Sequence, residues 1–402
     1  MKRRNLIKGL TLLPLAGGVA RSGLAASADN PLAGRNLLQE LGVRTFINAR
    51  GTITAMSGSL MHDYVLDAIR NSSQDFCMID DLQDKVGERI AKMAHSEAAV
   101  VTSGAFSALM LGMAGILTGM DPRKVKMLPH LDGSGMKSEV IIQKGHRIGY
   151  NQAFTNCGMK VVEVETAADV DSAVNENTAS MHFLNCNTAQ GQIKHEEWLG
   201  LAKKHNLPTS IDIAADVPPV SNLWKFNDMG FDFVAISGGK AIRGPQSAGI
   251  LMGKKAIIDA ARLSAFPRAT TSGRGMKVNK EEILGMYVAL EKYVNQDHDK
   301  EWKSWEERVA TIEKAAKTVN SVTTKVYVPE IANHTPTLDI SWDTNVIKIS
   351  GDDLLKRLSE GQPSIIAYGG RSNSITVSPW MMKENQVKIV ARRIKEELQN
   401  AS

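Results

Sequence analysis

Phe231-Asp232-Phe233-Val234-Ala235-Ile236 is a buried-strand run that ends in a turn of small residues and a lysine, Ser237-Gly238-Gly239-Lys240, before a second glycine turn at Gly244-Pro245. A strand ending in Ser-Gly-Gly leaves room for a flat group against the backbone. A desolvated lysine beside it can lose its proton and condense with an aldehyde.

Three further stretches supply what such a lysine needs. Leu207 to Ala215 reads as a short buried strand bearing Asp212, 28 positions before Lys240. An acid there keeps a pyridine nitrogen protonated, which makes the ring an electron sink. Ala98 to Met110 reads as strand, tight turn and the first turn of an apolar helix, so free N–H groups and the helix dipole would meet a phosphate at Ser103, Gly104 and Ala105. Ile141 to Arg147 reads as a strand ending in glycine and an imidazole, and His146 is expected to stack on the ring face. Singly these are ordinary: Gly-Gly-Lys is a loop, an aspartate after a strand is a cap or turn former, and Ser-Gly-Ala is a helix start. Their order, each at the C-terminal end of a strand, is the informative feature, because open α/β sheets bind ligands at that edge. The implied cofactor is pyridoxal 5'-phosphate, bound by Ser103, Gly104, Ala105, His146, Asp212, Ser237 and Lys240, with Lys240, Asp212 and His146 as the catalytic set.

The segments Ser210 to Pro219 and Ile236 to Gln246 resemble the selenocysteine synthase-like family of fold-type I pyridoxal phosphate enzymes, and more closely its D-glucosaminate-6-phosphate ammonia lyase branch. Phe46 to Thr52, Lys144 to Arg147, Gly273 to Lys277 and Lys280 to Ile283 support the likeness. The resemblance implies a transferase-type α/β architecture with a mostly parallel sheet in a large domain, a small C-terminal α/β domain, and a substrate cleft between them, commonly at a dimer interface. It implies Lys240 as the residue that bonds the cofactor aldehyde and Asp212 as the pyridinium partner. Selenocysteine synthases carry a basic N-terminal extension for transfer RNA and a Gly-Thr-Thr-Asn stretch where this chain reads Val161 to Ala168. Both are missing, which argues against a transfer RNA substrate.

Lys2-Arg3-Arg4-Asn5-Leu6-Ile7-Lys8, the apolar stretch 9–20 and Ala26-Ser27-Ala28 form a twin-arginine export pattern. The apolar stretch is short for a membrane span, which needs about 20 apolar residues. The leader holds Lys2, Arg3, Arg4, Lys8 and Arg21 without an acid, so it carries the whole formal charge of +5. Removing those five from the 48 basic residues leaves them equal to the 43 acidic ones. A neutral body offers no overall attraction to nucleic acid. The expected location is therefore periplasmic or exported, with the twin-arginine machinery as a transient partner, no nucleic acid partner, no membrane association once the leader is removed, and a homo-oligomeric assembly. Cys77, Cys157 and Cys186 show no paired spacing, so neither a disulfide framework nor a metal site is expected.

The expected organisation is a signal peptide at 1–28, an N-terminal arm at 29–64, a large cofactor domain at 65–290 and a small domain at 291–402. Helices are predicted over 86–94, 105–117, 151–158, 196–205, 280–320 and 384–398. Strands are predicted over 139–143, 160–165, 337–342, 364–367 and 374–377. Residues 36–55 are expected beside the small domain.

An amino acid substrate brings a carboxylate, for which Arg371, between two small-domain strands, is a bidentate candidate. Arg147, Arg243, Arg274 and Lys277 are alternatives or binders of a second anion, and Asn48 and Arg50 are expected to approach from the arm. The chemistry implied is α-proton removal by Lys240 from the bound substrate, with Asp212 holding the ring protonated, then loss of a β substituent and release of ammonia. That is an ammonia lyase or dehydratase acting on an amino acid or amino-sugar acid. Addition of a nucleophile would instead give β-replacement, as in an L-seryl-tRNA(Sec) selenium transferase, and a third reading is a cofactor-binding protein without catalysis.

Overall fold

Strand-forming runs in the first two thirds of the chain are apolar at both alternating sets of positions, so both faces of the sheet they form must be covered. The computed structural model, which describes residues 34–402, shows this. A short strand β1 (Ile47–Asn48) precedes the sheet strands β2 (Ala98–Thr102), β3 (Glu139–Gln143), β4 (Lys160–Val164), β5 (Thr178–Leu184), β6 (Thr209–Asp212), β7 (Phe233–Ser237) and β8 (Gly249–Gly253). They assemble in the order β2-β8-β7-β6-β5-β3-β4. All pairs are parallel except those of β8, which runs antiparallel to both β2 and β7. Ile141, Met181, Phe183, Ile211, Val234 and Ile250 enter one apolar layer with Ile90 and Trp198. Val140, Ile142, Phe233, Ala235 and Leu251 enter the opposite layer with the apolar helix Gly104–Thr118 and Phe154.

A four-stranded antiparallel sheet follows, β9 (Val322–Tyr327), β10 (Thr337–Trp342), β12 (Tyr368–Arg371) and β13 (Ser374–Val377), with the short β11 (Ile365–Ile366) before β12. Helices His298–Ala316, Gly351–Glu360 and Glu384–Gln399 cover it, and Val309, Ile340, Leu354, Ile375, Val390 and Ile394 form its own core. Strand β1 pairs in parallel with β11, and Ile47 and Ala49 join this core. Residues 46–402 make one compact unit; the segment up to Thr45 is a separate one, whose described part holds the single-turn helix Leu37–Glu40, capped by the Asn36 side chain. The expected leader at 1–28 lies outside the described residues.

Some boundaries differ from expectation for identifiable reasons. The long helix expected over 280–320 is two helices, Lys280–Asn295 and His298–Ala316, because Gln296 is extended and the Asp297 side chain accepts the Lys300 N–H to begin a new helix. The helix expected over 151–158 is a single turn, Gln152–Thr155. The helix expected from 86 starts at Ile79, with Asp80 and Asp81 in its first turn.

Candidate active site

Strands β7, β8 and β2 bring their ends into one register: Ser237 lies opposite Gly249, and Gly249 opposite Thr102. The lysine loop and the Ser103 turn are therefore neighbours although 137 positions separate Lys240 from Ser103. Gly104 takes a left-handed φ of +84°, which turns the chain from β2 into its helix. A Cβ built on Gly249 would lie 2.4 Å from the carbonyl carbon of Gly104, so hydrogen alone fits there.

The result is a cavity of about 310 Å3 lined by Ser103, Gly104, Ala105, Asp212, Ser237 and Lys240, together with Phe106 and Tyr150. No side chain caps the helix Gly104–Thr118, because the Ser103 hydroxyl is engaged with Ser107. Its first N–H groups are thus open to an anion, as a phosphate requires. Asp212, at the end of β6, is 6 % exposed. Its Oδ1 accepts the Ala214 N–H at 2.8 Å, and no hydrogen bond reaches the other oxygen among the described residues. Burial pushes this carboxyl above its ordinary value, against the pull of the Ala214 N–H and Lys240. A cationic N–H donor at the second oxygen reverses that penalty, which is what a protonated pyridine offers. The chain's own residues thus fit pyridoxal phosphate at both its ends, the acidic ring nitrogen and the phosphate. Lys240 is the only cationic side chain among the lining residues.

His146 requires a correction. The short 3-10 turn Lys144–His146 aims its ring into the protein, where it is fully buried, edge-on to Phe183 at 4.5 Å, and accepts the Leu184 N–H on Nδ1. Burial lowers its pKa to about 4, so the imidazole is neutral and supports the sheet end without lining the cavity. The aromatic groups in the wall are Tyr150, four residues later, and Phe106. Neither carries a distinctive local motif; a tyrosine after glycine at the far end of the same loop was the available signal.

The proposed carboxylate and arm residues also lie away from this cavity. Arg147 pairs with Glu163 across 3.5 Å, and the Arg274 guanidinium lies over the Phe266 ring at 5.3 Å. Arg371 is exposed at the end of β12. Asn48 is spent on a turn, its Oδ1 accepting the N–H groups of Arg50 and Gly51, while the Arg50 guanidinium lies over Tyr368 at 5.9 Å. Arg243 donates from Nε to the Leu60 carbonyl and lines a different cleft.

Residues without an assigned role in the sequence complete the surroundings. Gln246 donates to the Thr54 carbonyl at 2.9 Å, and both line the cavity with Ser247, whose hydroxyl donates to Glu282. Asp216 is 2 % exposed; its Oδ2 accepts from Asn185 Nδ2 at 2.9 Å and its Oδ1 has no partner. Burial above all, with Asp212 adding to it, pushes the Asp216 carboxyl up to about 7.

Residues 151–272 match the Aminotransferase class-V family model. This chain is similar to a D-glucosaminate-6-phosphate ammonia lyase of Salmonella typhimurium, 25% identical over 91% of this chain and 99% of that one. A solved structure of D-glucosaminate-6-phosphate ammonia-lyase superposes with a TM-score of 0.78 at 24% identity, covering 92% of this chain and 99% of that one. The chain shares the fold of that ammonia-lyase, and its likenesses are to pyridoxal phosphate enzymes of fold type I. Similarity extends to a 5'-C-glycyluridine monooxygenase-decarboxylase of a Streptomyces species, 24% identical over 89% of this chain and 91% of that one. It extends further to an L-seryl-tRNA(Sec) selenium transferase of Pasteurella multocida, 26% identical over 68% of this chain and 59% of that one. These likenesses imply pyridoxal 5'-phosphate as the cofactor, and the lysine loop, buried acid and uncapped helix fit it.

Proposed function

We propose that this enzyme is an ammonia lyase or dehydratase that removes the α proton and eliminates a β substituent from an amino acid or amino-sugar acid. The observation that carries the reading is the meeting of Lys240, Asp212 and the Ser103–Ala105 amides in one cavity. Likeness over nearly the full length of an ammonia lyase supports elimination as the outcome. The bound cofactor supplies an electron sink for negative charge at the substrate α carbon. Asp212 would hold a proton on the ring nitrogen, the helix start at Gly104 would hold the phosphate, and the Lys240 amine would move the substrate proton. Tyr150 and Phe106 take the place of His146 as candidates to cover the ring. An unphosphorylated or differently charged substrate suits an exported enzyme better than a phosphorylated sugar acid.

The test is chemical. Borohydride reduction of the purified enzyme should abolish its near-visible absorbance and fix the cofactor mass on the peptide containing Lys240, and Lys240→Ala should lose both the band and ammonia release across a panel of D- and L-amino acids and amino-sugar acids. Activity surviving in Lys240→Ala would defeat the assignment. β-Replacement is the second reading, favoured by the selenium transferase relatives, and selective binding of seryl-tRNA would revive it.

The leader pattern supports twin-arginine export, and the fold type supports a homo-oligomer. Replacing Arg3 and Arg4 by lysine should retain the enzyme in the cytoplasmic fraction; unchanged periplasmic recovery would remove the export reading.

A further inference from the structure

A second, larger cleft of about 920 Å3 shares no lining residue with the lysine cavity. Its walls bring together the 60–66 segment, Arg243 from the lysine loop, the start of helix His298–Ala316 and the 380–383 turn. Two half-buried guanidiniums face into this space from different elements. Arg243 donates from Nε to the Leu60 carbonyl at 2.7 Å, and Arg308 donates to the Trp380 carbonyl at 2.8 Å. Among the described residues, no carboxylate comes within ion-pair distance of either one. Glu301 is the acid near both, beyond contact, and its Oε2 instead accepts from Gln296 Nε2. Lys300 and Lys383 add positive charge, so that four cationic side chains stand against the carboxylates of Asp63, Asp297 and Glu301 in the same wall, and Trp305 and Trp380 supply apolar wall.

Burying guanidiniums without pairing them disfavours their charged form, and burial does lower the pKa of both. An anion with two acceptor oxygens answers their remaining donors. Arg243 also has a left-handed φ of +56°, a conformation that side chains other than glycine seldom hold without a reason. Its backbone N–H donates to the Lys240 carbonyl at 3.0 Å. The guanidinium position is therefore tied to the loop that carries the reactive amine.

We propose that this cleft binds a small organic anion, its carboxylate or phosphate group held between Arg243 and Arg308 and its apolar part against the two tryptophans. The site is separate from the cofactor cavity and stands without the lyase reading. Its occupant would bear on the lysine loop through Arg243, as an effector does.

Calorimetric titration of the cofactor-loaded enzyme with citrate, and in parallel with inorganic phosphate, tests this. Saturable binding of at least one probe is expected, with tighter binding of citrate marking a carboxylate ligand and of phosphate a phosphorylated one. Affinity should fall at least about tenfold in Arg243→Gln and in Arg308→Gln, the loss of a charge-assisted pair. It should persist in Lys240→Ala, which separates this site from the catalytic one, and in Arg147→Gln, whose guanidinium is already paired to Glu163. Should Arg308→Gln fail to fold, Arg308→Lys keeps the charge, loses the fork, and should still weaken binding. The absence of saturable binding to either probe, or equal affinity in wild type and the cleft variants, overturns the proposal.

Discussion

Gly249→Ala is a single-methyl test of how the phosphate end of the cofactor site is built. The added Cβ would meet the Gly104 carbonyl carbon at 2.4 Å, the Ala105 nitrogen at 2.7 Å and the Gly104 Cα at 2.8 Å. All three atoms are backbone of the turn whose N–H groups are assigned to the phosphate, and none can rotate away. Relief requires the turn to retreat by roughly an ångström, since ordinary carbon contacts lie near 3.5–4.0 Å. Overpacking of this kind costs about 1–3 kcal/mol of stability. Losing one charge-assisted hydrogen bond to the phosphate costs about 1.5–3 kcal/mol, or roughly 10- to 150-fold in cofactor affinity. The assay is titration of apoenzyme with pyridoxal phosphate, followed by absorbance, beside thermal unfolding. Gly200→Ala is the matched control: it lies in helix His195–Lys204 with nothing within 4 Å of a new Cβ. That substitution should leave affinity unchanged and add up to about 1 kcal/mol of stability. If Gly249→Ala binds the cofactor within twofold of wild type, the Ser103 turn is not the phosphate cradle.

Burial lowers the pKa of His146 to about 4, of His182 to about 3 and of His195 to about 4. Below the unfolded value near 6.5 the unfolded chain takes up protons that these sites refuse, so stability should fall as pH drops from about 6.5 towards 4, at about 1.4 kcal/mol per pH unit for each site; denaturant midpoints insensitive to pH over that window would contradict it. Asp216 acts with the opposite slope: its raised folded pKa means that the folded state holds a proton the unfolded state has lost, which destabilises the fold progressively between about pH 4 and pH 7. Asp216→Asn should therefore be the more stable protein at pH 8, by an amount on the order of 4 kcal/mol at most, with the difference vanishing near pH 4; an equal difference at both values would show that the carboxyl does not titrate as described.

Much of the site could be read because its parts are punctuated. Ser-Gly-Gly-Lys after an apolar run, Asp212 at the end of another and Ser-Gly-Ala before an apolar helix each mark a strand's C-terminal edge by residue type. His146 was misleading for the same reason: the strand end was right, but which way a side chain leaves a 3-10 turn depends on what encloses it, here Phe183 and the close approach of Gly191. The arginines are harder to place from sequence. A guanidinium reaches far, so its sequence position says little about its partner, and Arg147 and Arg274 found Glu163 and Phe266 instead. Strand β8 was hidden as well, since Gly249-Ile250-Leu251-Met252-Gly253 is a short apolar run whose reversed direction follows only from its pairing. In β9 the outward positions are exposed, and its identity comes from its partner β10.

The insertion of β8 between β2 and β7 has a consequence for synthesis. The turn that would grip the phosphate is translated early, near residue 103, yet it meets the amine only by way of a strand finished at Gly253. A ribosome that has emitted two hundred and thirty-odd residues has made Ser103, Gly104, Ala105, Asp212 and Ser237 of the cavity wall, and still has not made the lysine or the splint that brings them together. Vitamin capture by a growing chain must wait for those last few amino acids, and a fragment ending just past Lys240 should own the reactive amine but no pocket to use it in.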